Sequence, residues 1–350
     1  MNAILALLLA IVYGDPSPSA SAANRQEING AWALGETLDL KGGAVYVDAP
    51  LVQPPIIGGG LRGRGAGYLL GETEYNPLSL GGRVTRIILT QPAPCVIHAK
   101  GSHLELSDVC LVGARMPTFG AMATKRSAVG LLIDGRDPPS SGKVFVSNVL
   151  IGLCETAIHF TASPQEQHAD ESTWTRVWGF GCDTFVRSDN QQAVSHHFFS
   201  CGVGGRLAGV NEHLTVFDYE RGGNLYCAGL IINHPNVTLL RLSHWSPNTN
   251  RFDIVGFRYD TPTVDPKGLR LVEWDNPYGR PPASYTHFDV RISGHIAEAK
   301  PSTAIGDMVR LTGLPGDSIW FDVTNLPGGA PEGYKRSVSG PWVRYRKAAK

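Results

Sequence analysis

A Phe-Asp-apolar triplet returns four times in the second half of the chain, as Phe217-Asp218-Tyr219, Phe252-Asp253-Ile254, Phe288-Asp289-Val290 and Phe321-Asp322-Val323, at steps of 35, 36 and 33 residues. A second triplet, apolar-Arg-apolar, falls between them as Leu240-Arg241-Leu242, Leu269-Arg270-Leu271 and Val309-Arg310-Leu311. Each triplet has the alternation of a half-buried strand, outer residues inward and the charged one outward. Two strands therefore alternate, and a unit that short cannot bury its own apolar face without stacking on the next. Weaker copies continue upstream. First-type strands are expected near Leu104-Leu106, Phe145-Val149, Trp174-Trp178 and Ser195-Phe199, and second-type strands near Leu131-Ile133, Ile158-Phe160, Phe185-Arg187 and Gly205-Leu207. Cys154-Glu155-Thr156 and Cys182-Asp183-Thr184 repeat 28 residues apart. The expected fold is all-β, a parallel β-helix (β-solenoid) of roughly eight or nine coils, on the order of 40 Å long at ~4.8 Å per strand.

Composition agrees. The 41 Gly and 24 Pro are too many breaks for a helical bundle, while 42% apolar and 18% charged residues exclude a disordered chain. Lys+Arg and Asp+Glu balance at 31 each, so no global charge selects nucleic acid or an anionic membrane. A propeller would need four strands per blade, and a jelly roll has no fixed period. Residues 1–22 are expected as a signal peptide: Met1 to Tyr13 is apolar and Ala20-Ser21-Ala22 has the A-x-A form, although no basic residue precedes the run. The alternative is an N-terminal arm packed on the body. The run is shorter than the ~20 residues that span a bilayer, so no transmembrane segment is expected. A cap helix over Arg25 to Leu34 would close the end of the solenoid. The expected divisions are 23–60 for cap and first coil, 61–326 for the β-helix and 327–350 for a basic tail, in which Tyr334 to Lys350 carries six Lys/Arg and no acid.

Gly42-Gly43-Ala44-Val45-Tyr46-Val47-Asp48-Ala49-Pro50 followed by Leu61-Arg62-Gly63-Arg64-Gly65 looks like the opening of pectate-lyase-like right-handed parallel β-helix proteins, and Ile97 to Gly113 resembles their recurring coil. The likeness covers about residues 36–325. It implies a right-handed β-helix and weighs little on activity, since such proteins include lyases, hydrolases, epimerases, phage tailspikes and adhesins. The Asn-Thr-Asp, Asp-Asp, Gly-His-Gly and Arg-Ile-Lys set of polygalacturonases is missing, and Gly294-His295-Ile296 matches two of three positions.

Pectate-type lyases imply carboxylates on adjacent coils that hold Ca²⁺ against a uronate, and an Arg or Lys that removes the C5 proton. The Phe-Asp ladder has that form if Asp218, Asp253, Asp289 and Asp322 stack one strand apart. On this reading Asp218, Glu220, Asp253 and Asp289 bind Ca²⁺, and Arg258, Arg291 and Asp253 are catalytic. The plainer reading is that these Asp residues face water. Arg241, Arg270 and Arg310 form a candidate basic stripe for an acidic polysaccharide, or are solvated strand residues paired with acids. Trp245 and Trp274, with Trp174 and Trp178, could stack on sugar rings or fill the core.

His196 and His197, adjacent on a strand, point to opposite faces and cannot chelate one metal. The six cysteines contain no C-x-x-C; Cys154, Cys182 and Cys227 are expected to stack along one corner. Two functions follow. The first is a secreted β-helix that acts on a polysaccharide, preferably acidic, by β-elimination or hydrolysis. The second is a non-catalytic glycan-binding or structural β-helix of the tailspike or surface type, at a cell or virion surface.

Overall fold

The computed structural model describes residues 10–55, 58–65, 84–101, 103–114, 125–135, 143–161, 170–190, 193–207, 209–242, 250–260, 269–274, 288–296, 309–311, 318–324 and 343–345. Short parallel strands run through these residues and form two stacked sheets, with one helix at the N-terminal end. A broad sheet of sixteen strands and a narrow sheet of nine exchange the chain at every coil. The solenoid expected from the repeats is therefore present as parallel stacking.

The broad sheet is bent along one line. In strand Val144–Gly152 the bend is Asn148 (φ 52°), and in strand Ser172–Phe180 it is Arg176 (φ 53°). The strand registers place Asp108 (φ 56°), Asn148, Arg176, Ser200 (φ 52°), Gly229 (φ 72°) and Gly256 (φ 66°) on the same line. One left-handed residue turns the strand without ending it, and Asn, Asp and Gly accept that conformation at least cost. The Asn148 amide donates to Asp108 Oδ1 at 2.5 Å, linking two coils along the bend.

Inside, buried side chains stack coil on coil. Trp174 lies parallel to Phe198 at 5.6 Å, Phe198 meets Phe217 edge-on at 5.6 Å, and Tyr219 meets Phe252 edge-on at 5.1 Å. Such aromatic pairs add about 0.5–1.5 kcal/mol each beyond the area they bury. All six cysteines are buried and free. Burial pushes the thiols of Cys110, Cys182 and Cys201 up to about 12, so they behave as small apolar groups. Cys154 and Cys182 are neighbours at one corner, as expected. Cys227 instead sits in a broad-sheet strand, in register with Phe198 and Ile254.

The helix spans Pro18–Ala33 and begins seven residues earlier than the expected Arg25. Ser17 caps it, its hydroxyl accepting from the Ala20 N–H, and Pro18 fits the first helical position, where no N–H is needed. Gly35 (φ 76°) ends it in the left-handed conformation, with N–H groups of Gly35 and Glu36 returning to Trp32 and Ala31. Trp32 is fully buried and donates from its indole to the Gly60 carbonyl. Ala20-Ser21-Ala22 thus lies within the helix, with Ala20 and Ser21 buried. The preceding segment is tied to the same cap, since Asn24 bonds both the N–H and C=O of Val12 and also the C=O of Tyr46. At the other end, Val343–Tyr345 pairs antiparallel with Ser318–Thr324, so the segment expected as a basic tail adds a strand to the broad-sheet edge.

The Phe-Asp ladder is corrected by the register. Phe217 lies in the narrow sheet, in strand Leu214–Tyr219, whereas Phe252, Phe288 and Phe321 lie in the broad sheet. Even there they do not stack, because Phe252 faces Val290 and Phe321 faces Ile292. Two broad-sheet strands, Leu225–Ala228 and Ile231–Asn233, intervene unannounced by the triplets, and Gly205–Leu207 follows strand Gly202–Gly204 without forming a narrow-sheet strand. Phe252 is fully buried, as its apolar flanks require. Phe252→Ala should cost about 3–5 kcal/mol in a denaturant titration; a loss below ~1 kcal/mol would contradict this packing. A chain started at Ala23, lacking Ser17, Pro18 and the Val12–Asn24 bonds, should unfold at lower denaturant than the full chain, by about 1–3 kcal/mol.

Candidate functional site

A parallel solenoid turns sequence into rows, because residues in register lie one strand apart, ~4.8 Å, on one face. Two outward rows carry the chemistry of this chain.

On the broad sheet the row runs Glu105, Phe145, Thr173, His197, Tyr226, Asp253 and Arg291. Phe145 is 45% exposed and Tyr226 38%. His197 stands edge-on to Phe199 and Tyr226, 6.2 Å from each, and Phe199 lies 5.9 Å from Tyr226. The alternation of the strand forces this arrangement. His196 points inward, fully buried, so its neighbour must face out, and Cys227 inward puts Tyr226 outward. At the end of the aromatic cluster Asp253 accepts from Arg251 Nε at 2.7 Å through Oδ2. Its Oδ1 is buried and has no hydrogen-bond partner among the described residues.

On the narrow sheet the row runs His98, Leu132, His159, Arg187, Asp218, Arg241 and Glu273, with Arg310 at the next backbone register position. Arg241 clasps Asp218 in a two-point pair of 2.9 and 2.5 Å, which raises the Arg241 pKa above its ordinary value. Arg187 reaches Glu220 at 3.2 Å and Arg270 reaches Glu273 at 2.7 Å. Nearer the cap the partners are histidines: His98 Nε2 lies 2.7 Å from Asp134 and His159 Nε2 lies 3.0 Å from Asp189. Burial opposes ionisation of Asp189, but His159, Thr161 and Arg187 outweigh it and hold its pKa below the ordinary value.

The expected Ca²⁺ set is not brought together. Asp218 and Glu220 belong to the narrow sheet, Asp253 and Asp289 to the broad sheet, and among the described residues no group of three metal-ligating side chains converges. The physical reason is the register, since equal steps in sequence crossed from one sheet to the other. Asp218 is occupied by Arg241, and Asp253 by Arg251. Of the expected catalytic residues, Asp253 and Arg291 are register neighbours, whereas Arg258 lies beyond the Gly256 bend and pairs with Asp260. The basic stripe is also broken. Glu273 stands between Arg241 and Arg310, and Arg270 is in register with Thr238 in another row.

Trp174 is buried, Trp178 packs over Gly202, and Trp274 shares a register position with the buried Tyr219 and Leu242. Trp245 and the side chains of Trp274, Asp289, Arg310 and Asp322 lie outside the described residues. The exposed aromatic cluster was missed because it is built of Phe, Tyr and His. The signal available was that Phe145, His197 and Tyr226 each stand at the charged position of a strand triplet.

Comparison with known proteins gives no match: no family model, no curated protein and no solved structure aligns significantly with this chain.

Inside the core, His196 Nδ1 and Ser172 Oγ are 2.5 Å apart, and the Trp174 indole donates to the same Oγ. Burial lowers the His196 pKa from 6.5 to about 3. Between those values the unfolded chain takes up a proton that the folded chain refuses. The contribution of His196 is therefore complete above pH 6.5 and declines as pH falls toward 3. Going from pH 7 to pH 5 should cost about 2 kcal/mol from this residue; His234, also lowered by burial, acts in the same direction. Urea midpoints across that range should fall steeply in the native chain and less so in His196→Phe, and an equal slope in both would remove His196 as the cause.

Proposed function

We propose that the protein is a polysaccharide-binding right-handed parallel β-helix of pectate-lyase-like architecture, holding a glycan along the outer face of the broad sheet. The observation that carries the reading is the exposed cluster of His197, Phe199 and Tyr226, continued toward Phe145, with the unpartnered Asp253 Oδ1 beside it. Aromatic faces bind the apolar faces of sugar rings, and an acceptor left without a partner, such as Asp253 Oδ1, gains most from a hydroxyl that a small side-chain shift brings within reach. Phe145 and Tyr226 are three strands apart, ~14 Å, a span suited to a short run of sugars. Thr173 and Thr175 between them add hydroxyl groups to an otherwise apolar floor. Arg251 and Arg291 at the far end favour a sugar that carries an acidic group there.

The pairing of Asp218 with Arg241, and of Asp253 Oδ2 with Arg251, supports binding without Ca²⁺. On this reading the chain works where polysaccharide is met, secreted or at a cell or virion surface.

The test is a panel of acidic and neutral glycans presented to the full chain. Tyr226→Ala should weaken the captured glycan about tenfold or more, the loss of roughly 1–2 kcal/mol of stacking, with the melting temperature unchanged. Asp253→Asn should weaken it as well. Retained affinity in both variants would overturn the assignment to this face.

A further inference from the structure

The two histidine–carboxylate pairs of the narrow sheet have no part in that binding face. We infer that His159, held by Asp189 and flanked by Arg187, is a general base for metal-independent β-elimination on an acidic polysaccharide. The inference rests on the preceding reading only for the class of polymer, since its residues lie on the other sheet.

His159 uses Nε2 toward Asp189 Oδ2, at 3.0 Å, so the carboxylate fixes the proton on Nε2 and leaves the lone pair on Nδ1. Among the described residues Nδ1 makes no hydrogen bond. The imidazole is 17% exposed, shielded enough to stay oriented and open enough to be reached. Arg187 is the next residue along the row, ~4.8 Å away. Its Nη2 holds Glu220, its Nε is buried and unpartnered, and its side chain is 42% exposed. A uronate carboxylate against this guanidinium makes the C5 proton more acidic and sets it over His159. On the opposite side, half-buried Leu132 offers an apolar surface to the sugar ring. His98 with Asp134 repeats the pair one residue further along the row.

The step balances without a co-reactant. His159 Nδ1 takes the C5 proton, the C–H electron pair forms the C4–C5 double bond, and the C4–O4 bond breaks. The imidazolium so formed gives its proton to the departing O4, which restores neutral His159 and yields a new chain end and an unsaturated uronate. Asp189 is a positioning residue, acting through the ring it orients.

The experiment offers polygalacturonate, alginate and a glycosaminoglycan to the full chain and follows the ultraviolet absorbance of the unsaturated uronate, with and without chelator. Turnover that survives chelator is expected. His159→Gln should lower kcat about 10²–10⁴-fold with little change in KM, while Arg187→Gln should mainly raise KM. Asp189→Asn should lower kcat and move the acidic limb of the pH profile, where the base becomes protonated, which a purely structural role would not do. Circular dichroism melts confirm that each variant is folded. Glycan capture without absorbance change would overturn this inference and leave the binding reading intact. Turnover abolished by chelator, or undiminished in His159→Gln, would overturn it too. Loss of capture in Tyr226→Ala with turnover retained would separate the two faces.

Discussion

A single left-handed residue, repeated at one place on successive coils, sets the register on which everything else depends. Asp108, Asn148, Arg176, Ser200, Gly229 and Gly256 each turn the broad-sheet strand within one residue. A longer turn could vary in length and let neighbouring strands slip; the one-residue bend keeps the coils aligned from Asp108 to Gly256, and the register shifts by one residue only where Gly256 meets the next strand, between Ile254 and Phe257. Arg176 in this position costs roughly 1–2 kcal/mol relative to a right-handed conformation, and its persistence shows how strongly its paired neighbours dictate the bend. Because side chains alternate with a period of two, a slip by one residue would exchange His196 for His197 and drive the core outward.

With register fixed, stability and chemistry separate. Apolar burial and aromatic stacking inside the coils hold the fold, and the outward rows are free to vary. The exposed ion pairs contribute little to stability, about 0–1 kcal/mol each. Asp218 and Arg241 differ from the others: the carboxylate side chain is 4% exposed and the guanidinium 43%. Removing Arg241 would strand a nearly buried charge, so this pair matters more by what its loss would expose than by its own attraction.

The class of fold was legible because strand alternation and repetition are local in sequence. Inward and outward assignments within single strands were legible for the same reason, as at Phe252 and at the His196/His197 divide. Register between coils was not, because coil length varies: Asp218 and Arg241 are neighbours only 23 residues apart, shorter than any step between Phe-Asp triplets. Phe217 and Phe252 therefore matched in spelling and not in place, and the Ca²⁺ set fell with them. The cap helix is legible from Arg25 on, but its start at Pro18 is not, because Ser17 and Pro18 stand in the stretch that reads as a leader. No local pattern pairs His159 with Asp189, which come from adjacent coils and meet only after register is known.

The narrow-sheet row explains where unspent chemistry can reside. From Arg187 onward its charges alternate in sign, Arg187, Asp218, Arg241 and Glu273; Asp218 pairs with Arg241 within the row, while Arg187 and Glu273 are matched by Glu220 and Arg270 beside it. Alternation stops at His159, beyond which stand Leu132 and His98, and here the carboxylates Asp189 and Asp134 are held by histidines. An arginine has donors enough to satisfy several acceptors and keeps its charge throughout. An imidazole bonded through Nε2 keeps one further nitrogen that can accept a proton and return it. The change from arginine to histidine partners along one face is thus a change from charges that only neutralise to groups that can transfer protons, and it occurs at the end nearer the helix Pro18–Ala33.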